Sequence, residues 1–297
     1  MTRIGIFTAY PDDDWHAQRI VDAARAHGEV DLLRATDLTA DIGRDGCRIR
    51  VRGEDSSRWD LFLTPRAIGE EGDGELQIEL YGALADAGAL VVNDVRALVV
   101  AIDKFRTSWR LRRAGLPTPR TFVAQTLDEA ERALGELGRA IVKPNYGSLG
   151  IGIERVREGE RDRLARLLAH HRALYLQELV EDAHDVRAFV IGPRVEAAMA
   201  REGGQARPYA LAPAVERLAV RAARTLGLDY AGVDLMVFEG GAATVIEVNG
   251  TPHFEKVERA TGRDMARALV AYAVTRAGQR EGSRSWTGQT AESPRAT

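Results

Sequence analysis

Three oxygen-bearing side chains near the C-terminal third of the chain, Asp234, Glu247 and Asn249, have the spacing of ligands for a hard cation. They lie in two apolar runs, Gly232–Phe238 and Ala243–Asn249, separated by Glu239-Gly240-Gly241-Ala242. A Gly-Gly pair suits a two-residue type I′ hairpin, because both central residues need φ > 0. That turn would set Asp234 opposite Glu247, with their side chains roughly 5 Å apart. Asn249 joins the same face, since strand side chains repeat every second residue. Two carboxylates facing each other among apolar neighbours repel and desolvate badly, and a divalent cation between them removes both costs. Oxygen-only ligands favour Mg²⁺, which keeps waters and binds through one or two carboxylates plus phosphates. The competing reading is that one acid pairs with an arginine. If repulsion dominates, Asp234→Asn should leave the fold intact.

A phosphate-holding element stands upstream. Lys143 ends the apolar run Ala140–Lys143 and precedes Gly147-Ser148-Leu149-Gly150-Ile151-Gly152, a loop whose backbone N–H groups can approach an anion closely. Lys104 is a second candidate cation. Gln177-Glu178-Leu179-Val180 closes another apolar strand with polar groups at its end. A nucleoside base commonly meets backbone amides in such a strand, while an acid takes the ribose hydroxyls. Glu178 and Asp185 are the available acids.

The elements that must position these residues follow from periodicity. In the first hundred residues, Ile4–Phe7, Leu61–Leu63 and Ala89–Val92 read as buried strands. Helices are expected after Asp14, which can cap Ala17–Ala24, and over Glu75–Ala87. Strand–helix–strand rhythm implies a doubly wound parallel sheet, without a Gly-x-Gly-x-x-Gly after its first strand. The α+β middle piece carries helices over 103–114, 127–137 and 161–171. Strands dominate from Asp185 on, interrupted by a helix over Val215–Leu226 and followed by one from about Arg263 to Arg276. The expected division is 1–95, 96–173, 174–277 and a disordered polar tail, 278–297.

Composition narrows the functions. In 297 residues, 41 Lys plus Arg against 44 Asp plus Glu give a net charge of −3, so nothing favours a polyanionic nucleic acid as partner. No apolar run is long enough to span a membrane. A single cysteine, Cys47, excludes an internal disulfide, and a reducing cytoplasm is the simplest location.

Taken together, these residues resemble the ATP-grasp superfamily, and within it the RimK-like glutamate ligases. The resemblance spans about Val92–Ala268 and rests on ordered motifs. These are Asp103-Lys104, Gly115-Leu116-Pro117-Thr118-Pro119, Val142-Lys143-Pro144, the glycine loop and Gln177-Glu178. Further on come Asp185-Val186-Arg187, Ala198-Met199-Ala200-Arg201, Gly232-Val233-Asp234 and Glu247-Val248-Asn249-Gly250-Thr251-Pro252. The resemblance implies an α/β and α+β chain: an ATP-grasp fold behind an N-terminal Rossmann-like, pre-ATP-grasp domain. It implies ATP held by Lys104, Lys143, Gly147, Ser148, Gly150, Gly152, Gln177, Glu178, Leu179, Val180 and Asp185. Mg²⁺, or Mn²⁺, would be held by Asp234, Glu247 and Asn249, and Arg201 would steady the transferring phosphoryl group. A carboxylate would attack the γ-phosphate to give an acyl phosphate, which an amine then converts to an amide. The substrates would be small carboxylates and amines, with a peptide acceptor as the other option. Homo-oligomerisation is left open.

Two departures from the family pattern stand out. About ten residues, including an asparagine, are missing between Arg201 and Gly203-Gly204, so that Arg207 or the shortened loop must compensate or substrate handling differs. His253-Phe254 replaces a small residue after Pro252 and could line the acceptor pocket. The His170-His171 pair reads as surface. The shortened loop motivates a rival reading, a nucleotide-binding protein that has lost ligation; a phosphotransferase is a third.

Overall fold

The computed structural model describes residues 2–287 apart from 45, 70 and 147–151, with side chains described up to residue 280. Two compact units result. Unit 1 comprises Met1–Arg96, His253–Glu255 and the chain from Asp264 onward; unit 2 comprises Ala97–Pro252 and Lys256–Arg263.

Unit 1 opens with β1 (Thr2–Thr8), α1 (Trp15–Ala24) and β2 (Gly28–Leu33). The Asp14 carboxylate caps α1 by accepting from the His16 and Ala17 N–H groups, satisfying donors that a helix start leaves orphaned. Next come β3 (Leu38–Gly43), β4 (Gly46–Val51), β5 (Glu54–Asp55), β6 (Leu61–Arg66), α2 (Gly74–Asp86) and β7 (Val91–Val92). The sheet β2-β1-β6-β7 is parallel throughout, the doubly wound sheet expected. Its central strands β1 and β6 are buried on both faces over Ile4–Thr8 and Leu61–Thr64, as expected for a covered parallel sheet. Phe7 packs on Phe62 and edge-on against Tyr81, and the Tyr81 hydroxyl donates to the Ala67 carbonyl. The antiparallel sheet β3-β4-β5 was not foreseen. Its strands carry mostly exposed polar side chains, so they show no buried run.

Unit 2 begins within α3 (Val95–Ile102) and continues as α4 (Lys104–Arg113), β8 (Thr121–Ala124), α5 (Leu127–Leu137), β9 (Arg139–Lys143), β10 (Glu154–Arg157), α6 (Arg161–His171) and β11 (Leu174–Glu178). The four strands form an antiparallel sheet in the order β10-β9-β11-β8. One face packs on α5 and α6 through Ala130, Leu134, Val142, Leu164, Leu167 and Leu176. Burying a side chain of that size contributes about 1.5–3 kcal/mol. Since β11 pairs with β8 and β9, the boundary expected at 173/174 falls after β11 instead.

The second sheet is built from β12 (Ala183–Ile191), β13 (Arg194–Glu202) and β14 (Gln205–Pro208), then, after α7 (Pro213–Leu226), from β15 (Tyr230–Phe238) and β16 (Ala243–Asn249). The order is β14-β13-β12-β15-β16, all antiparallel. α7 buries Val215, Ala219, Val220, Ala222, Ala223 and Leu226, a stripe at helical spacing, and ends at Gly227. After α8 (Glu255–Thr261), the chain returns to unit 1 as α9 (Met265–Thr287). Buried Met265, Ala266, Leu269, Val270 and Ala273 make that packing. The expected division is corrected in one respect, since α9 groups with the N-terminal unit; α9 is described to Thr287, and the rest of the expected tail, 288–297, lies outside the described residues.

Candidate active site

The β15–β16 hairpin sets Asp234 opposite Glu247 and Gly232 opposite Asn249, so the three expected ligands share one face. The turn that achieves this differs from the expected one. Gly241, at φ 78°, is the turn residue with positive φ; its N–H donates to the Phe238 carbonyl, and the Phe238 N–H donates to Ala242. That is a three-residue loop with glycine in the left-handed position, not a Gly240-Gly241 type I′ turn. Such a loop alone would shift the register by one. A bulge between Asp234 and Leu235, which leaves Ile246 as the extra residue, shifts it back. Beyond Asn249, Gly250 lets the chain pass closely: a Cβ there would lie 2.5 Å from Leu98 Cδ2.

The same sheet face carries Asp185 and Arg187 from β12 and Arg201 from β13. Arg187 opposes Asp234 and donates to both of its oxygens, Nε to Oδ1 at 2.6 Å and Nη2 to Oδ2 at 2.7 Å. Arg201 grips Asp185, with Nη2 to Oδ1 at 2.6 Å, and reaches Asp234 Oδ2 at 3.4 Å. Burial opposes both guanidinium charges, but Asp234 outweighs it for Arg187, and Asp234 with Asp185 for Arg201; both pKa values are raised. Asp234, only 5% exposed, is thus neutralised by arginine, the competing possibility weighed above. Arg187 is the functional residue that reasoning from sequence left without a role. The signal was its place two residues after Asp185, on the face of Asp234.

The lysines reach this face from other elements. Lys104 begins α4 behind its cap Asp103, and its Nζ lies 3.8 Å from Glu247 Oε1. Asp103 also accepts from the Asn145 side-chain amide (3.1 Å) and the Tyr146 hydroxyl (3.2 Å), while the Phe105 N–H donates to Asn145 Oδ1 (2.9 Å). These bonds tie the segment after Lys143 to the start of α4. Lys143 Nζ donates to Gln177 Oε1 at 2.8 Å, Gln177 Nε2 donates to Tyr175 Oη at 3.1 Å, and Tyr175 Oη meets Ser108 Oγ at 2.6 Å. Burial lowers the Lys143 pKa, and Glu247 is the strongest opposing influence. Lys104, Ser108, Lys143, Tyr175 and Glu247 line one narrow cleft.

Other expected residues fall differently. Gly147, Ser148 and Gly150 lie outside the described residues, and Gly152 is exposed. The Gln177 side chain is spent on Lys143 rather than turned to a base. Glu178 Oε2 accepts from the Arg120 N–H, and Leu179 and Val180 follow β11 half-buried. Asp185, expected on the ribose side, accepts from Arg201 at 2.6 Å. The shortened stretch after Arg201 is a tight hairpin, with Gly203 and Gly204 at φ 56° and 81° and Glu202 opposite Gln205. Arg207 pairs in register with Ala200, on the face away from Arg201, so it does not compensate for the missing residues. The exposed His253 ring lies tilted against His16 at 4.3 Å, and Phe254 is buried edge-on to the same ring; both contacts lie within unit 1.

The donor set suits a hard divalent ion. Two carboxylates and an amide oxygen share one face, and a carboxylate held by arginine still has unused lone pairs. Among the described residues no three acidic, histidine or cysteine side chains converge. Asp234, Glu247 and Asn249 would supply part of a coordination shell, and phosphate oxygens and water would supply the rest.

A face of paired acids and arginines beside two lysines, between two antiparallel sheets of one unit, defines an ATP-grasp enzyme. Comparison with known proteins narrows the class: the RimK-like ATP-grasp domain matches residues 101–273, and the chain belongs to that family. It is 31% identical to a probable alpha-L-glutamate ligase of Thioalkalivibrio sulfidiphilus, over 87% of this chain and 91% of that one. It is 28% identical to the tetrahydromethanopterin:alpha-L-glutamate ligase of Methanosarcina acetivorans, over 92% and 98%. The ATP-grasp ligase PsnB, solved with a minimal precursor, Mg and ADP, superposes with a TM-score of 0.78 at 24% identity, over 93% of this chain and 98% of that one. The protein is an ATP-dependent ligase that joins a carboxylate to an amine. Among the described residues, no helix is long and apolar enough to cross a membrane.

Proposed function

We propose that this ligase adds an amino acid, glutamate by its likeness to the alpha-L-glutamate ligases, to a small-molecule or peptide acceptor. The observation that carries the reading is the Asp234–Glu247 pair with Lys104 3.8 Å from Glu247. Metal ligands and a phosphate-seeking cation are thereby gathered on one strand pair.

In this reading Lys104 and Lys143 bind the phosphates, and the backbone of Glu178–Val180 meets the base. Gln177 aims Lys143. Asp234, Glu247 and Asn249 hold Mg²⁺, or Mn²⁺ in its place, which neutralises phosphate charge when bound. Arg201 and Arg187, swung from their carboxylate partners, face the transferring phosphoryl group and the acyl phosphate oxygens. The acceptor carboxylate attacks the γ-phosphorus, ADP leaves, and the amine attacks the acyl carbon to expel phosphate. No side chain need become covalently attached, and positioning with charge neutralisation carries the rate. The exposed, unpaired thiol of Cys47 suits a reducing cytoplasm.

The test is ADP release from MgATP across a panel of carboxylates and amino acids, with products weighed by mass spectrometry. A product heavier by one dehydrated amino acid is expected. ADP release unaffected by any amine, across a broad panel, would return the protein to the non-ligating alternative; a stable phosphorylated product would make it a phosphotransferase.

A further inference from the structure

Helix α4 has a second face that the site does not use. Its buried side carries Lys104, Thr107, Ser108 and Leu111, and it contains no acidic residue. Outward it presents Phe105 and Trp109, 47% and 54% exposed, with ring centroids 6.2 Å apart. Arg106 and Arg110 form the adjacent row, and the Arg113 guanidinium lies over Trp109 at 5.9 Å. At the end of α4, the Ala114 carbonyl accepts from Arg221 of α7 (3.5 Å), so the arginine row Arg217, Arg221 and Arg224 continues the surface.

A solvated charged face would ordinarily be interleaved with acids. On α5 and α6 of the same unit it is: Arg132 bridges Glu129 and Glu136, and Arg163 bridges Glu154 and Glu160. Among the described residues Arg110, Arg217 and Arg224 have no carboxylate partner, although the chain as a whole is net acidic. Like charges one helical turn apart repel, and half-exposed aromatic rings beside them cost solvation. Both costs are relieved by an anionic partner with some apolar surface.

We propose that this α4–α7 face holds an acidic peptide, the glutamate-rich segment of an acceptor or of a growing product. The proposal rests on the glutamate-ligase reading above and extends it to the acceptor. Guanidinium forks match carboxylates bidentately. Arginines at i and i+4 are about 6 Å apart along a helix, and alternate side chains of an extended peptide are about 6.6 Å apart, so the two rows can run in step. Phe105 and Trp109 give the peptide's methylene groups an apolar ledge.

The experiment is fluorescence anisotropy of a labelled oligoglutamate of about eight residues, long enough to cross both helices, on the full chain without nucleotide. The triple variant Arg110→Gln/Arg217→Gln/Arg224→Gln should weaken binding roughly tenfold or more, and added salt should do likewise. Arg→Lys at the same positions should restore part of it. ADP release with a short acceptor should be unchanged in both variants. Trp109→Ser, read separately, should weaken peptide binding without altering its salt dependence. Oligoglutamate binding equal in wild type and triple variant overturns the proposal. So does tighter, variant-sensitive binding of a DNA oligonucleotide or of phosphatidylserine vesicles, or self-association that the triple variant abolishes. The ligase reading fails on a different observation, the lack of amine-dependent ADP release in wild type, so the two failures are distinguishable.

Discussion

At the scale of single residues, the arginines decide how the acidic pair behaves. The expectation that Asp234→Asn relieves repulsion without cost is replaced by its opposite. Arg187 is bound to both Asp234 oxygens, and the substitution leaves a buried guanidinium with half its partner. Breaking a buried pair costs about 3 kcal/mol or more. Asp234→Asn should therefore lower the urea midpoint and abolish turnover. Glu247, whose side chain is 25% exposed and meets Lys104 at 3.8 Å, lacks such a bond. Glu247→Gln should keep its midpoint near wild type and still lose magnesium-dependent ADP release. Equal midpoints for the two variants would show that Arg187 contributes nothing to holding the sheet.

At the scale of elements, the hairpin illustrates what a sequence discloses and what it hides. The expected pairing of Asp234 with Glu247 rested on a Gly240-Gly241 corner, and the pair forms although that corner does not. The turn was misread because Gly240-Gly241 looks like a two-residue corner, while the chain makes a three-residue loop and recovers register with a bulge at Ile246. Two offsetting one-residue shifts leave no trace in the pattern of hydrophobicity. The tight Gly-Gly corner occurs instead at Gly203-Gly204. Helices with a cap and a clear stripe, such as α5 behind Thr126 and α7 before Gly227, were legible from their residues alone. The Lys143–Gln177–Tyr175–Ser108 chain was not, because it links β9, β11 and α4 through contacts that no local spacing encodes. Deleting Ile246 should remove the bulge yet keep Glu247 opposite Asp234, because the shortened strand then follows the register that the three-residue loop sets, and ADP release should persist. Gly241→Ala, straining one left-handed residue, should cost about 1 kcal/mol and leave kcat nearly unchanged. Urea titration and ADP release on both variants check this; a folded but inactive Ile246 deletion would mean that the bulge itself, beyond the register, shapes the site.

At the scale of the whole molecule, acid sensitivity traces to unit 1. Burial and the neighbouring His253 push the His16 pKa down to about 4, against the pull of Asp14 and Glu255 and with a further push from Arg66. The unfolded chain takes up that proton near the usual histidine value of about 6.5, the folded chain only near 4. Folding stability should therefore fall as pH drops through this window, by about 2 kcal/mol near pH 5, and be fully present above it. His16→Leu should flatten the urea midpoint between pH 7 and about 5; an unchanged slope would place the sensitivity elsewhere. The placement of α9 bears on synthesis. The parallel sheet of unit 1 precedes unit 2 in the chain, yet one helix of unit 1, α9, follows it. Until that helix emerges, α1 lacks the helix it packs against, whereas the nucleotide-handling unit already has nearly its whole chain. During synthesis unit 1 should therefore close only after the catalytic unit, encoded between its two segments, has formed.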